Sequence, residues 1–192
     1  MGLILSCLAK ARTDRSMIRT RRLTLRPWQE DHRAEFVAMH GEAEVMADLG
    51  GPFSRVAADA KFDRYRAALS AHGIARWAIE VGDGVFQGYA GVMFRPDAAH
   101  PLGPHHEIGW RLRRSAWGKG YAAEAAKAAL EDAFKTNDLA RIYSYTGADN
   151  QRSRGVMRKL GLVRDTTLDF AYAYDGGPAW AGLVWVAERR IV

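Results

Sequence analysis

From His106 to Ala126 the chain runs through a strand pattern, a turn with two glycines and a run of helix formers, with nothing inserted between them. Polar Glu107, Arg111 and Arg113, together with Gly109, alternate with Ile108, Trp110 and Leu112, the period of two that marks a half-buried strand. Ala122 to Ala126 are good helix formers. Gly118 and Gly120 let the backbone between them take positive φ and approach a ligand closely. The helix that follows leaves its first N–H groups without intrahelical partners. A strand end, a glycine turn and a helix N-terminus held together form an anion cradle. Any fold for this chain has to be built around it, and the pattern leaves open which anion it holds.

The 192 residues suit one domain with a sizeable core, and 48% hydrophobic with 26% charged residues is an ordinary soluble composition. A net charge of +6 favours anionic ligands. The basic residues are spread along the chain with no aromatic–basic ladder, so no nucleic-acid partner is expected. The single Cys7 excludes an internal disulfide or a cysteine-built metal site. That fits a reducing cytoplasm, and no metal is expected. Met1 to Ser6 match the myristoylation pattern, but Leu3-Ile4-Leu5 is too short for a signal peptide and no run of about 20 apolar residues follows, so no membrane association is expected. Residues 1–16 are expected to be a disordered leader, and 17–192 a single domain with Met17 as a plausible start.

Arg21 to Trp28 reads as a first strand, alternating at Leu23 and Leu25 and ended by Pro27. Asp31 opens a helix to about His40, and Ser54 caps a second through His72, with Gly50-Gly51-Pro52 between them. Ala75 to Val81 and Val85 to Phe94 are strands flanking the turn Gly82-Asp83-Gly84, and residues 95–104 form a loop. Arg141 to Thr146 is a β-branched and aromatic strand. Asn150 or Asp149 caps a helix to about Leu160 that Gly161 stops. Leu168 to Tyr174 and Trp180 to Ala187 pair through Asp175-Gly176-Gly177-Pro178. No repeat or linker divides the chain.

Gly118 to Ala123 also satisfies the loose dinucleotide pattern G-x-G-x-x-A, but the preceding strand is half polar, follows an antiparallel hairpin and is separated from Gly118 by four residues. A nucleotide phosphate loop fails for want of a Lys-Ser or Lys-Thr pair. Instead, Trp117-Gly118-Lys119-Gly120-Tyr121-Ala122-Ala123-Glu124-Ala125 after Glu107-Ile108-Gly109-Trp110, with Asn150-Gln151-Arg152-Ser153 and Lys159-Leu160-Gly161-Leu162 downstream, resembles the GCN5-related N-acetyltransferases (GNAT). Within them the run is similar to the RimJ/RimL-like branch, from Thr20 to about Arg190. The resemblance implies a mixed α/β fold. Its central, mostly antiparallel twisted sheet would have six to seven strands, flanking helices and splayed fourth and fifth strands.

The resemblance implies acetyl-CoA as cosubstrate, with the backbone N–H groups of Trp117, Gly118, Lys119, Gly120, Tyr121 and Ala122 on its pyrophosphate. Arg113, Arg114 or Lys119 would add charge, though a solvated surface role suits each as well. Trp117 stands where the superfamily pattern has Gln or Arg. The central strand is expected to carry a bulge and to splay from residues 141–146, so that a backbone N–H near Leu112 faces the thioester oxygen. Glu107 resembles the carboxylate that relatives use to deprotonate the amine; the plain alternative is a strand carboxylate paired with an arginine. Met157 occupies the place of the tyrosine that protonates the leaving thiolate in many relatives, and a thioether cannot donate a proton. The resemblance therefore passes the acid to Ser153, whose alternative is helix capping or a hydrogen bond to CoA. Asn150 is expected to bond the pantetheine arm, cap its helix, or both.

An α-amine near 7.7–8.0 is neutral about one time in five to ten at pH 7, a lysine side chain near 10.4 about one in 2,500, which tilts the acceptor toward a protein N-terminus or a small, weakly basic amine. His32, His40, Glu42, Glu44, Asp48, Trp77 and Tyr89 are candidate acceptor-side residues. The protein would act by direct transfer, as a monomer or homodimer. A CoA-binding regulatory module without catalysis is the alternative that the missing tyrosine permits.

Overall fold

The computed structural model describes residues 17–173 and 179–189. The expected leader over 1–16 with Cys7, and the expected turn Asp175 to Pro178, lie outside the described residues.

One sheet organises the chain, with strands β1 Ile18–Arg19, β2 Thr24–Arg26, β3 Arg76–Val81, β4 Val85–Arg95, β5 His105–Leu112, β6 Arg141–Thr146, β7 Val163–Arg164, β8 Phe170–Tyr172 and β9 Trp180–Glu188. The order is β1-β2-β3-β4-β5-β6-β9-β7, with β8 also on β9. Every pairing is antiparallel except β5 with β6, which meet in parallel register only at Glu107 and Tyr143. This nine-strand count exceeds the expected six to seven because β1, β7 and β8 are only two or three residues long, too short to leave a periodic trace.

Helices α1 Arg33–His40, α2 Ala43–Met46 and α3 Arg55–His72 cover one face of the sheet, and α4 Tyr121–Thr136 and α5 Gln151–Lys159 the other. Strand parity sorts the two cores. Ala90, Val92, Ile108 and Leu112 face α4, whose buried stripe of Ala125, Ala126, Ala129 and Ala133 lets it lie close on the strands. Tyr89 and Met93 face the other way, against Trp28, Phe36, Phe62 and Tyr65. Glu107, Gly109 and Arg111 lie on that second face, opposite Met93, Gly91 and Tyr89. As expected, Ser54 caps α3, accepting the Ala57 N–H at 3.2 Å, and Gly73 ends it at φ 67°.

The expected bulge on the central strand is not there. The β4–β5 ladder is regular from Gly88 opposite Leu112 to Arg95 opposite His105, and the register shifts instead between β3 and β4 at Ile79 and Glu80. Gln87 is the extra residue, and Gly88 beside it runs so close to β5 that a Cβ would lie 2.2 Å from the Arg111 carbonyl oxygen. The final pair is also shorter than expected. Thr166–Leu168 forms a 3-10 turn, whose Thr167 N–H bonds Asp165 at 3.0 Å, and leaves β8 only Phe170–Tyr172.

Candidate active site

The splay between β5 and β6 creates the site. Arg113 N–H bonds the Gln87 carbonyl at 3.0 Å, which fixes the alternation along β5: the backbone groups of Ile108, Trp110 and Leu112 point away from β4, toward β6. Two contacts agree, because Ser144 Oγ donates to the Ile108 carbonyl at 3.0 Å and Trp117 Nε1 to the Leu112 carbonyl at 3.0 Å. Among the described residues no strand pairs on that side beyond Glu107, so the N–H groups of Trp110 and Leu112 are directed into the cleft. A cavity of about 330 Å³ fills the cleft. Of the residues singled out in the sequence, Leu112, Trp117, Gly118, Gly120, Tyr121, Ala122, Asn150 and Ser153 line it.

The turn closes one end of this cavity. Gly118 and Gly120 sit at φ 75° and 79°, and Gly120 is the N-cap of α4, so no side chain caps the helix and its first N–H groups remain available. Arg22 braces the turn from outside, with Nη1 on the Lys119 carbonyl at 2.9 Å and Nε on Glu124 at 2.7 Å. Arg152, also on the cavity wall, lies 3.8 Å from the Trp117 ring centroid, and Lys159 completes the basic side. The three cations expected to add charge are not among the residues that line the cavity. Arg113 pairs with Glu35 at 3.1 Å, Arg114 pairs with Glu44 at 2.9 Å, and exposed Lys119 lies 6.0 Å from the Tyr121 ring. Gly120→Val is expected to weaken acetyl-CoA binding about tenfold or more by calorimetry, because a left-handed L-residue costs roughly 1–2 kcal/mol. A Cβ there would also sit 3.3 Å from Arg22 Nη2.

At the other end of the cavity Asn150 caps α5, its Oδ1 accepting the Ser153 N–H at 3.0 Å. Ser153 lines the cavity, and its hydroxyl has no hydrogen-bond partner among the described residues. Met157 is 1% exposed and belongs to the core, so apolar packing replaces the tyrosine of relatives. Sequence reasoning did not single out Arg111, which joins the two sides: its guanidinium grips Asp48 at 2.8 and 3.1 Å, and Asp48 receives Asn150 Nδ2 at 3.2 Å. Its signal was parity, since it alternates with Trp110 and Leu112 at the end of the strand.

Glu107 does not line the cavity. Its carboxylate is buried between Arg76, at 2.7 Å, and Arg95 on the other oxygen. Burial opposes its ionisation, but the two guanidinium charges outweigh burial and hold its pKa at about 2. Of the acceptor-side candidates, Asp48 lies on the cavity wall. Tyr89 is in the core under α1, His40 is the buried last residue of α1, Trp77 packs on the α4 face, and His32 bonds Glu80 at 2.9 Å.

The profile of the acetyltransferase (GNAT) domain matches residues 22–163. The chain belongs to the GNAT acetyltransferases. FsC-acetyl coenzyme A-N(2)-transacetylase of Aspergillus fumigatus is similar to this GNAT protein, at 30% identity over 167 residues, 84% of this chain and 70% of that one. A solved acetyltransferase of Agrobacterium tumefaciens shares 28% identity and a TM-score of 0.75, over 90% of this chain and 94% of its own. RimL, described as a ribosomal L7/L12 alpha-N-protein acetyltransferase, superposes with a TM-score of 0.70 over 91% of this chain and 94% of its own. At 17% identity that likeness is one of fold alone.

GNAT enzymes use acetyl-CoA, and the cavity of this GNAT domain suits it. Uncapped α4 amides beside left-handed glycines fit a pyrophosphate, and Arg152 and Lys159 line the same cavity. Among the described residues no cluster of His, Cys, Asp or Glu could hold a metal, and no helix is long and apolar enough to cross a membrane.

Proposed function

We propose that this GNAT domain moves the acetyl group of acetyl-CoA directly to a primary amine, an α-amine of a peptide N-terminus or of a small molecule, as RimJ/RimL-like enzymes do. The observation that carries this reading is the continuity of one cavity from the glycine turn, past the outward N–H groups of β5, to the free Ser153 hydroxyl. The N–H groups of Leu112 and Trp110 stabilise the charge that develops on the thioester oxygen. Ser153 gives its proton to the departing thiolate and takes one back from the ammonium nitrogen of the tetrahedral intermediate, and Asn150 holds the turn of α5 on which Ser153 sits.

Glu107, with its pKa near 2 and both oxygens on arginines, is a poor acceptor for an ammonium proton. In this reading it positions Arg76 and Arg95, and the amine reaches the thioester as the fraction already neutral in water. The pH dependence tests this. With a peptide acceptor, kcat/KM is expected to climb with pH and level near the α-amine value of about 8. Glu107 stays ionised throughout and adds no break at pH 4–6. A break in that acid range, lost in Glu107→Gln, would restore Glu107 as the base. A CoA-binding module without catalysis would give no amine-dependent CoA release at any pH.

A further inference from the structure

We propose that the face of the sheet beneath α1 and α3 holds a carboxylate-binding subsite built on Lys61, Arg76 and Arg111, so that the amine acetylated carries a free carboxylate a few bonds away. This rests on the primary-amine reading above and narrows it to amino acids and related acids.

Lys61 on α3 is 9% exposed and has no acidic partner among the described residues. Its ammonium lies 4.9 Å from the Phe53 ring centroid and 5.8 Å from that of Tyr65. Arg76 lies beside it, 5.5 Å from the Tyr65 ring centroid and 5.8 Å from that of Tyr89; its Nη atoms are on Tyr65 and Glu107, and its Nε has no partner among the described residues. Arg111 stands opposite Tyr89 on β5 with its Nη atoms on Asp48, and its Nε is without a partner among the described residues. Arg95 shares Glu107 with Arg76, so four cations here face two carboxylates, Glu107 and Asp48. A desolvated charge is expensive unless paired, and a fold that needed only packing would place an apolar side chain at 61. Burial lowers the pKa of Lys61, with Arg76 and Arg111 adding to it, and the Tyr65 hydroxyl is lowered despite its burial because Arg76 and Lys61 stand against it. His40, held neutral mainly by burial, donates from Nδ1 to the Phe36 carbonyl at 2.8 Å and adds no charge.

The cationic cluster adjoins the chemistry through Arg111, which also lines the acetyl-CoA cavity together with Asp48 and Val45 of the segment that roofs it. An acceptor with its amine at the thioester would direct a carboxylate past Asp48 toward Arg111 and Lys61, where unpartnered donors replace its water.

The test compares amino acids with their own carboxamides as acceptors. Neutralising the carboxylate lowers the amine pKa and enlarges its neutral fraction, so without a subsite the carboxamide is the better acceptor. With the subsite, wild-type kcat/KM favours the free acid by about tenfold or more, the size of one charge-assisted hydrogen bond. That preference collapses in Lys61→Met and largely survives in Lys61→Arg. A wild-type enzyme that acetylates both equally or favours the carboxamide overturns the subsite while leaving amine acetylation intact, and needs no variant to fold. A preference unchanged in Lys61→Met overturns it as well. Silence toward every amine, with acetyl-CoA still bound, removes the amine reading and this inference with it.

Discussion

Glu107→Gln is expected to destabilise the protein by about 3–5 kcal/mol at neutral pH, the cost of leaving buried charges without their partner. Arg76 is 6% exposed and its Nη2 lies 2.7 Å from Glu107, while Arg95 occupies the second carboxylate oxygen. An amide keeps the shape but removes the charge that both guanidiniums require. The loss has a characteristic pH dependence. Glu107 titrates at about 2 in the folded chain against a reference of 4.5, so its stabilisation is whole above about pH 5 and is lost as pH falls toward 2. Urea unfolding at pH 7 should therefore separate wild type from variant widely, and the gap should narrow on acidification. Equal stability at pH 7, with turnover down a hundredfold or so, would instead make Glu107 a base rather than an anchor.

The second large effect falls on turnover. Ser153→Ala is expected to lower kcat by about 10²–10⁴-fold, the usual contribution of a positioned general acid, with acetyl-CoA affinity within about threefold of wild type. The split is expected because the substitution removes only the hydroxyl. Ser153 keeps its N–H on Asn150 at 3.0 Å, so the cap of α5 and the wall of the cavity remain. Met157 is buried in the core and offers no proton, which leaves Ser153 as the hydroxyl of the Asn-x-x-Ser run on the wall. Equal turnover in wild type and variant would remove it as the acid.

The parts of this site that sequence reasoning reached are those made by local rules. The alternation of β5, the glycines of the turn, the start of α4 and the Asn150 cap follow from spacing and backbone geometry within a few residues. What it did not reach depends on partners far along the chain. Glu107 was legible as a carboxylate on the strand, but Arg76 and Arg95 lie 31 and 12 residues before it, and only the sheet brings them together. Arg114 was legible as a cation beside the turn, but Glu44, 70 residues away, takes it from the cavity. The bulge was expected on the strand that carries the chemistry, whereas Gly88 on the neighbouring strand absorbs the irregularity where the two backbones nearly touch. Lys61 gave no signal at all, because on a helix pattern it reads as a solvated residue.

The central claim is that one cavity holds acetyl-CoA and passes its acetyl group straight to an amine. Mixing the protein with acetyl-CoA and following free thiol before and after a primary amine is added tests it most directly. No thiol release is expected until the amine arrives, and then release in step with acetylated amine. Release without any amine, or continued silence with acetyl-CoA shown to be bound, would contradict it.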